Sequence, residues 1–391
     1  MRYVFKTFNV GAGDCITLLL QNGDKELHIM VDCGSFTKDV NDNVTQIFRK
    51  RIDYLIVTHI DNDHIKGLIS MLNVLPDLTI HHILYNCYQR TSENLQDWDD
   101  KMKDNVKRLY GDLPVVVDMM EGVINAESSK TLAELILDNE NWKKAWRREY
   151  VTSGTEPIEL GHDMGNLIFL SPNQDALDKL DDEYKKLFWQ TLYKQKMDDY
   201  KNEESIYEAL MRIASEEIDK EGKEQPVSAT SLNEEALKKY ADESVAALTA
   251  SNIASIAFVW EHENHRILFF GDASPKIVSE NLEKMYADFP KPLVFDAIKV
   301  SHHGSAHSTI KEQLKVVDSE LYFVTGGSKL RPSFQAISRI VTAPLSGKIS
   351  HREIRYNRQN KILDSLNSAD GLKEKFHYSI EANNNEYELS Y

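Results

Sequence analysis

Apolar and polar residues alternate at the start of the chain, which is the pattern of a β-strand with one buried face. Tyr3, Phe5 and Thr7 fall on one side of this pattern, and residues 15–20 form a short apolar run. The Asn-Gly pair at residues 22–23 is a turn signal typical of hairpins. We therefore predict that a strand at residues 27–31 follows and pairs with the preceding run.

Strands and helices alternate along the next part of the chain. An apolar strand at residues 54–57 precedes an amphipathic helix near Ile65, and another strand follows at residues 78–85. Further strands are predicted at residues 167–170, 253–260, 266–270, 295–300 and 321–324, with a last hairpin over residues 376–391. This succession is typical of a layered α/β fold.

Residues 173–250 interrupt the strand pattern. They contain 19 acidic and 11 basic side chains, lack β-branched runs, and predict charged amphipathic helices. We interpret them as an acidic helical insertion between a first half at residues 1–172 and a second half at residues 251–391. The insertion is either a solvated helical bundle or a lid or partner surface over a site, and the sequence leaves both open.

Residues 91–150 are also predicted to be mostly helical. Trp142 and Trp146 lie four positions apart in this segment and are predicted to face the core together.

Charge and cysteine usage narrow the class of protein. The formal net charge of −16 argues against coating of nucleic acid or anionic membrane through bulk charge. Three cysteines without a CxxC pair argue against a disulfide framework and favour a reducing compartment. The sequence shows neither a signal-peptide pattern nor an apolar run long enough to span a bilayer. We therefore expect a cytoplasmic protein that does not bind membranes.

Four strand ends carry residues that can bind a metal ion. Residues 59–64 read HIDNDH, which places four candidate ligands directly after an apolar strand. Other predicted strands end at Asp32, at Asp272 and at His302-His303. Imidazoles together with carboxylates suit a divalent metal of intermediate hardness. The natural use of four such ends is a binuclear centre in which one carboxylate bridges two cations.

These motifs resemble the metallo-β-lactamase superfamily, and within it the hydrolase domain of the competence protein ComEC. The superfamily signature HxHxDH is replaced by HxDxDH at residues 59–64. The other matching segments are NVGAGD at 9–14, VDCG at 31–34, NIAS at 252–255, GD at 271–272 and HHGS at 302–305. The resemblance implies a four-layer αββα sandwich with a helical insertion, and a metal-dependent hydrolase.

The resemblance also implies roles for individual residues. The metal ligands would be His59, Asp61, Asp63, His64, Asp272 and His302, with Asp272 as the bridging carboxylate. Asp32 and Asp14 would not bind the metal but would hold its ligands in position. We favour His302 over His303 as the ligand, which would leave His303 nearer the substrate. Two divalent ions are implied, either Zn²⁺ or Mn²⁺, and Mg²⁺ becomes admissible because Asp61 hardens the site.

Two positions depart from the family pattern. A further histidine is usual between the first and later motifs, and the nearest candidate is His162, which precedes a strand instead of following one. In place of a late His-Pro, this chain has Arg331-Pro332. An arginine can hold a phosphate with two parallel hydrogen bonds, so this replacement favours an anionic substrate.

The ligand set implies a mechanism. Two cations would hold a bridging hydroxide that attacks a phosphodiester, and Asp63 would help to hold them. His303 or His307 could protonate the leaving group, and Ser305 could bind a substrate oxygen.

A basic stretch lies late in the chain. Its cationic residues recur every three or four positions, so on a helix they would form one stripe: Lys348, Arg352, Arg355, Arg358 and Lys361. The stripe is either a solvated face or a track for a nucleic-acid backbone. On the second hypothesis Arg352 and Arg355 join Arg331 as substrate-binding residues.

Three functions follow from these observations. The first is a phosphodiesterase, most plausibly a nuclease acting on nucleic acid. The second is a hydrolase of a small ester, such as a phosphocholine-type diester, a lactone or a thioester. The third is a metal-stabilised, non-catalytic partner module that uses the insertion as its interaction surface. An open groove favours the first hypothesis, and a site closed by the insertion favours the second.

Overall fold

Two mixed β-sheets face each other and carry helices on their outer sides. The computed structural model describes residues 1–87, 131–192, 208, 232–328 and 331–391. The six-stranded sheet has the order β16-β1-β2-β3-β4-β5. Its strands are β1 (Arg2–Thr7), β2 (Ile16–Asn22), β3 (Lys25–Val31), β4 (Arg51–Val57), β5 (Thr79–Tyr85) and β16 (Glu386–Ser390).

The second sheet has eight strands in the order β15-β14-β13-β11-β9-β8-β7-β6. Its strands are β6 (Ile158–Glu159), β7 (Asn166–Ser171), β8 (Ala257–His262), β9 (His265–Phe269), β11 (Ala297–Lys299), β13 (Leu321–Val324), β14 (Arg352–Tyr356) and β15 (Tyr378–Ala382). A separate short pair is formed by β10 (Leu293–Phe295) and β12 (Val317–Ser319).

The described helices cover the outer faces of both sheets. They are α1 (Lys38–Asp42), α2 (Asn62–Val74), α3 (Leu132–Asp138), α4 (Glu140–Ala145), α5 (Gln174–Leu192), α6 (Glu234–Asp242), α7 (Ala250–Ile253), α8 (Pro275–Met285), α9 (Phe334–Thr342), α10 (Lys361–Asn367) and α11 (Asp370–Phe376). None of these described helices is both long and apolar enough to cross a bilayer.

Three apolar cores separate four layers. The core between the sheets contains Phe5, Phe258, Trp260 and Phe269, all at most 1% exposed. A second core joins the six-stranded sheet to its helices, and a third joins the eight-stranded sheet to α8, α9 and α10. The predicted αββα sandwich is therefore confirmed.

Parallel strands bring the candidate ligands to one edge of the sandwich. Strands β3, β4 and β5 are parallel, as are β9, β11, β13 and β14. The chain leaves β3 at Asp32, β4 at the HIDNDH loop, β9 at Asp272 and β11 at the His302-His303 pair. Because the carboxyl ends of parallel strands share one edge, these residues converge without further loops.

Two predicted elements are wrong. The C-terminal strands do not form a hairpin, because β15 pairs with β14 in one sheet and β16 pairs with β1 in the other. Residues 253–256 do not extend β8, since they end α7 and turn into the strand at Ala257. In the first case the alternation is real, but the pairing partners lie elsewhere in the sequence.

The predicted insertion is only partly described. Of residues 173–250, the structure describes α5, Glu208, α6 and the segment from there to α7, so about half of the predicted bundle lies outside the described residues. The carboxylate of Glu208 is fully buried and accepts hydrogen bonds from the backbone N–H groups of Leu132 and Ala133, at 2.9 and 2.8 Å. Glu208 thus anchors the insertion to the second core, between the six-stranded sheet and its helices.

The helical prediction for residues 91–150 can be assessed only from residue 131 onward. There the chain forms α3 and α4, and Trp142 and Trp146 are each 3% exposed. The predicted core-facing pair is confirmed.

The basic stretch at residues 348–361 does not form a single helix. Arg352 and Arg355 lie on β14, Arg358 lies in the bend that follows it, and Lys361 begins α10. A strand alternates its side chains, so spacings of three and four cannot place these cations on one face.

Arg352 and Arg355 are not placed as a substrate track. The Arg352 guanidinium is 1% exposed and donates to both carboxylate oxygens of Asp318, at 2.8 and 2.9 Å. Arg355 packs over the ring of Phe323 and donates to Glu353 and to the Glu386 carbonyl. Both arginines therefore hold the fold together, and the prediction of substrate binding at these two residues is wrong.

We expect the substitution Arg352→Met to destabilise the fold by about 3–5 kcal/mol, because it leaves the buried Asp318 carboxylate unpaired. Urea unfolding monitored by circular dichroism measures this change. The exposed Lys348 provides the matched control, and Lys348→Met is expected to stay within about 0.5 kcal/mol of the parent. Equal stability of the two variants would contradict a structural role for Arg352.

Candidate metal centre

The loop between β4 and α2 presents four candidate ligands. His59 leaves the end of β4, Asp61 occupies the N-cap position of α2, and Asp63 and His64 lie in its first turn. His59 is 6% exposed and His64 is fully buried. The sharp change from strand to helix therefore turns all four side chains toward the same edge of the sandwich.

One carboxylate oxygen lies at the centre of the cluster. Four imidazole Nε2 atoms surround Asp272 Oδ2: those of His64 and His302 at 3.5 Å, of His59 at 3.8 Å, and of His303 at 3.9 Å. Gly271 makes this approach possible. A Cβ there would lie 2.6 Å from Ser255 Oγ, and the backbone has a φ of +53°, which suits glycine.

Two further carboxylates divide the cluster into two half-sites. In the first, Asp61 Oδ2 lies 3.6 Å from His59 Nε2. In the second, Asp63 lies 3.9 Å from His64 Nε2 through Oδ1, and 3.3 Å from His303 Nε2 through Oδ2. Asp272 is common to both half-sites, which is the position that a bridging carboxylate requires.

The residues fit a pair of divalent cations. Donor atoms around a tetrahedral cation at about 2.0–2.1 Å lie roughly 3.3–3.4 Å apart, close to the 3.3–3.9 Å separations found here. The Nε2 atoms of His59, His64 and His303 are buried and have no hydrogen-bond partner in the described part of the chain. Buried nitrogens without partners are costly, so their convergence on one carboxylate indicates a metal site.

The consecutive residues His302 and His303 both adopt left-handed backbone conformations, with φ of 48° and 52°. Their rings splay apart at 68°, and both reach Asp272. His303 is fully buried, and its Nδ1 lies 3.0 Å from the Thr325 carbonyl, which can only accept a hydrogen bond. Nδ1 therefore carries the proton and Nε2 keeps its lone pair for a metal.

The structure favours His303 as a ligand beside Asp63, although our prediction preferred His302. His303 is the deeper residue and has the geometry of a ligand beside Asp63, whereas we expected it to face the substrate. His302 is 7% exposed and lies nearer the rim, although its Nε2 also faces Asp272. The pair could not be ordered in advance because the backbone turn that splays it leaves no sequence pattern.

Asp32 holds His64 in place. Its Oδ2 lies 2.8 Å from His64 Nδ1, and its two oxygens accept hydrogen bonds from the N–H and hydroxyl of Thr58 at 2.7 Å. The carboxylate fixes the His64 tautomer so that Nε2 faces the cluster.

We expect the substitution Asp32→Asn to weaken metal binding about 10–100-fold while the fold persists, because the His64 ring loses its orienting charge. Competition with a coloured chelator measures the affinity. Asp53→Asn, a change at a carboxylate that accepts from the His28 N–H, should leave the affinity unchanged. Unaltered metal affinity in Asp32→Asn would contradict the orienting role.

Asp14 lies beside the cluster, and we interpret it as a supporting residue, as the sequence predicted. Its carboxylate contacts the Lys299 ammonium and the Thr325 hydroxyl, and lies 3.3 Å from His303 Nδ1. Its oxygens also come near those of Asp272 and the rings of His64 and His303. Because Lys299 and Thr325 already occupy those oxygens, Asp63 is the better ligand.

Protons compete with cations for two of the rings. Burial lowers the pKa of His303, but Asp14 and Asp272 outweigh it and raise that pKa to about 9. Burial is likewise outweighed at His64, where Asp272, Asp32 and Asp63 raise the pKa well above its ordinary value. For Asp272, burial alone would raise the pKa, but the surrounding imidazoles outweigh burial and hold that pKa well below its usual range.

We expect metal-free protein to lose stability between about pH 6.5 and 9. His303 has a raised folded pKa, so its contribution is complete below the unfolded value of 6.5 and is lost as pH rises through about 9. The loss amounts to roughly 3 kcal/mol, and His64 acts in the same direction. Added Zn²⁺ should therefore stabilise the protein more at pH 9 than at pH 6.5.

Thermal unfolding with chelator and with Zn²⁺, across this pH range, measures both effects. A melting temperature of the chelated protein that stays constant from pH 6.5 to 9 would contradict the raised pKa values. The variant His303→Gln serves as the control and should show a flatter profile.

The segment at residues 241–252, which spans the end of the insertion and most of α7, forms one wall of the site. Ser251 Oγ donates to Asp61 Oδ1 at 2.7 Å, and Asn252 Nδ2 lies 3.4 Å from His302 Nδ1. Arg339 joins this segment to the loop after His303 by donating to four backbone carbonyls, those of Ala241, Glu243, Ala306 and Thr309. Ser251 was missed by sequence reasoning because a lone serine at a helix end is usually a cap.

The other predicted site residues lie near the rim or elsewhere. Ser305 Oγ accepts from the His307 N–H at 3.3 Å, and His307 Nδ1 accepts from the Ala246 N–H at 2.9 Å. Burial lowers the pKa of His302 well below its usual value, and the charge of Arg331 adds to this.

His162 lies on an exposed turn beside Asn22, at the far end of β2, so it is not placed to complete the site.

Comparison with known proteins finds a family match for the first part of the chain. Residues 10–130 match the model of the metallo-beta-lactamase superfamily. No curated protein sequence matches the chain. Among solved structures, the metallo-beta-lactamase fold protein YhfI from Bacillus subtilis is 11% identical at a TM-score of 0.38, with 100% of both chains covered.

Two further structures are similar at the same level. Zn²⁺-bound PqqB from Methylobacterium extorquens is 9% identical at a TM-score of 0.37, with 100% of both chains covered. A diphosphatase of the PhnP family is 9% identical at a TM-score of 0.37, covering 100% of this chain and 98% of that one. These scores carry no argument, so the assignment depends on the family model and on the two half-sites. Residues 10–130 are therefore similar to the metallo-β-lactamase superfamily.

Proposed function

We propose that this protein is a phosphodiesterase that uses two divalent cations. The superfamily consists generally of metal-dependent hydrolases, and the observation that supports such a function here is the convergence of four imidazole nitrogens on Asp272 Oδ2. His59 and Asp61 would hold one cation, and Asp63, His64 and His303 the other. Zn²⁺ or Mn²⁺ suits this mixture of imidazoles and carboxylates, and Asp61 also admits Mg²⁺.

Two cations in such a site supply an activated water near neutral pH and neutralise charge that develops on the substrate. The residues of the chain do the rest. Asp32 and Asp14 orient the His64 and His303 rings, while Ser251 fixes Asp61. His302 lies beside the centre and nearer to solvent, so its ring can contact a substrate oxygen.

Arg331 supports an anionic substrate. Its positive charge lowers the pKa of both His302 and His307, so it acts on two residues of the site. Arginine is well suited to binding a phosphate there. Because residues 348–361 do not present one cationic face, the separate argument for a long nucleic-acid track is lost, and the proposal depends on the site and Arg331.

A small-ester substrate is the second candidate function. It is favoured by the wall at residues 241–252, which contacts Asp61, His302 and His307 and so closes one side of the site. The same cations would serve a lactone, a thioester or a small diester. A groove for a polymer would have to run along the remaining sides.

The test is hydrolysis by protein loaded with Zn²⁺, Mn²⁺ or Mg²⁺, with and without chelator. The substrates are single- and double-stranded DNA, RNA, a chromogenic phosphodiester, a lactone and a thioester. Cleavage of any diester that is lost on chelation and in Asp63→Asn supports the proposal. Cleavage of the lactone or thioester alone would overturn it in favour of the second candidate, and no cleavage at all would favour a non-catalytic partner module.

A further inference from the structure

Lys299 lies directly beneath the candidate metal centre. It is the last residue of β11, three positions before His302, and is 1% exposed. Lysine is rarely buried to this extent unless it is paired. Its Nζ contacts the Asp14 carboxylate, donates to the Gly271 carbonyl at 3.1 Å, and lies 3.8 Å from Asp272 Oδ1.

The two oxygens of Asp272 have different surroundings. Oδ2 faces the four imidazoles of the cluster. Oδ1 is buried without a hydrogen-bond partner among the described residues, and the charged group near it is the Lys299 ammonium. A carboxylate can bridge two cations through one oxygen or through both, so the surroundings of Oδ1 decide which mode is available.

We propose that Lys299 is a positioning residue that keeps cations away from Asp272 Oδ1 and from Asp14, so that Oδ2 alone is shared by the two half-sites. The proposal rests on the metal centre proposed above. An ammonium 3.8 Å from Oδ1 repels any cation that would bind on that side, and the low local dielectric strengthens this repulsion. The Lys299 ammonium also offsets the charge of Asp14, whose oxygens would otherwise compete for a cation.

The surrounding contacts give Lys299 this role in addition to neutralising Asp14. Asp14 already accepts a hydrogen bond from the Thr325 hydroxyl and lies beside His303 Nδ1. The ammonium is nevertheless held on the Asp272 side by the Gly271 carbonyl, which belongs to the residue immediately before the bridging carboxylate. Lys299 thus contacts both the side chain and the backbone that set the orientation of Asp272.

The test compares D14N with the double variant D14N/K299M. Position 14 is neutral in both proteins, so the ammonium is the only charge that differs between them. Each protein is loaded with Co²⁺, and X-ray absorption gives the Co–Co separation while elemental analysis gives the number of ions per chain. Circular dichroism and thermal unfolding check the fold. If D14N/K299M does not fold, D14N/K299Q replaces it, since two amides can bond to each other.

We expect the double variant to show a Co–Co separation different from that of D14N, because Oδ1 becomes available to a cation once the ammonium is removed. With an active substrate, the acid limb of the pH–rate profile should move up by about one pH unit in the double variant relative to D14N, since a positive charge beside the centre is lost. An unchanged Co–Co separation in the double variant would overturn the proposal.

The Co²⁺ measurements need no substrate. Absence of hydrolysis in the parent protein would therefore contradict the proposed function while leaving the role of Lys299 to be decided by the separation alone.

Discussion

Replacing Asp272 by asparagine is expected to lower kcat/KM by at least about 10³-fold and to reduce the bound cations from two per chain to one or fewer. The carboxylate is buried, and its Oδ2 lies within 3.9 Å of all four imidazole nitrogens of the cluster. The amide keeps the shape of the side chain but removes the charge that both half-sites share. Elemental analysis after gel filtration measures the cations, and steady-state kinetics measures the rate.

Asp296→Asn is the matched control for this prediction. Asp296 also accepts hydrogen bonds from its surroundings, at the His265 ring and the Arg266 N–H, but it precedes β11 and lies at the opposite end of that strand from the site. This variant should keep two cations and the parent rate. Two tightly bound cations in Asp272→Asn would show that Asp272 does not bridge the half-sites.

Replacing Gly13 by alanine is expected to cost at least about 3 kcal/mol of stability and to abolish metal binding. A Cβ at Gly13 would lie 1.5 Å from the Asp63 carbonyl oxygen, which is backbone and cannot move aside. The same contact region includes the hydrogen bond from the Asp14 N–H to the Asp63 carbonyl, at 3.1 Å. The alanine would therefore push the ligand loop away from the strands that support it.

Chemical denaturation and metal titration measure the two consequences of Gly13→Ala. Gly347→Ala is the control, because a Cβ at Gly347 meets no atom within 4 Å. The control should be as stable as the parent. If Gly13→Ala bound metal with the parent affinity, the packing of this glycine against the ligand loop could not be what shapes the site.

The strand-end motifs were the strongest guide to the site. Asp32, the HIDNDH loop, Asp272 and the histidine pair each follow an apolar run, and parallel pairing brings them to one edge. This part was predictable because the chemistry is carried by short segments whose position in a parallel sheet follows from a general rule.

The supporting residues were harder to predict. Lys299 looked like a polar residue near the end of a strand, and Ser251 like an ordinary helix residue, yet both contact the ligand carboxylates. The importance of these two residues depends on which segments meet in space. Lys299 contacts Asp272 and Ser251 contacts Asp61, and in both pairs the two residues are far apart in the sequence. The basic stretch failed for the opposite reason, since a spacing of three and four indicates one face only if the segment is helical.

The sequence by itself determined the layered fold, the edge at which the ligands gather and most of the ligand types, because hydrophobic periodicity and strand-end residues are local properties. Only the tertiary structure decided how those ligands divide. Asp272 lies between the two half-sites, His303 is the more deeply buried of the two histidines, and Lys299 lies beside Asp272 Oδ1. These outcomes depend on distances of 3–4 Å between residues from different strands, which packing of the two sheets sets and no local pattern records.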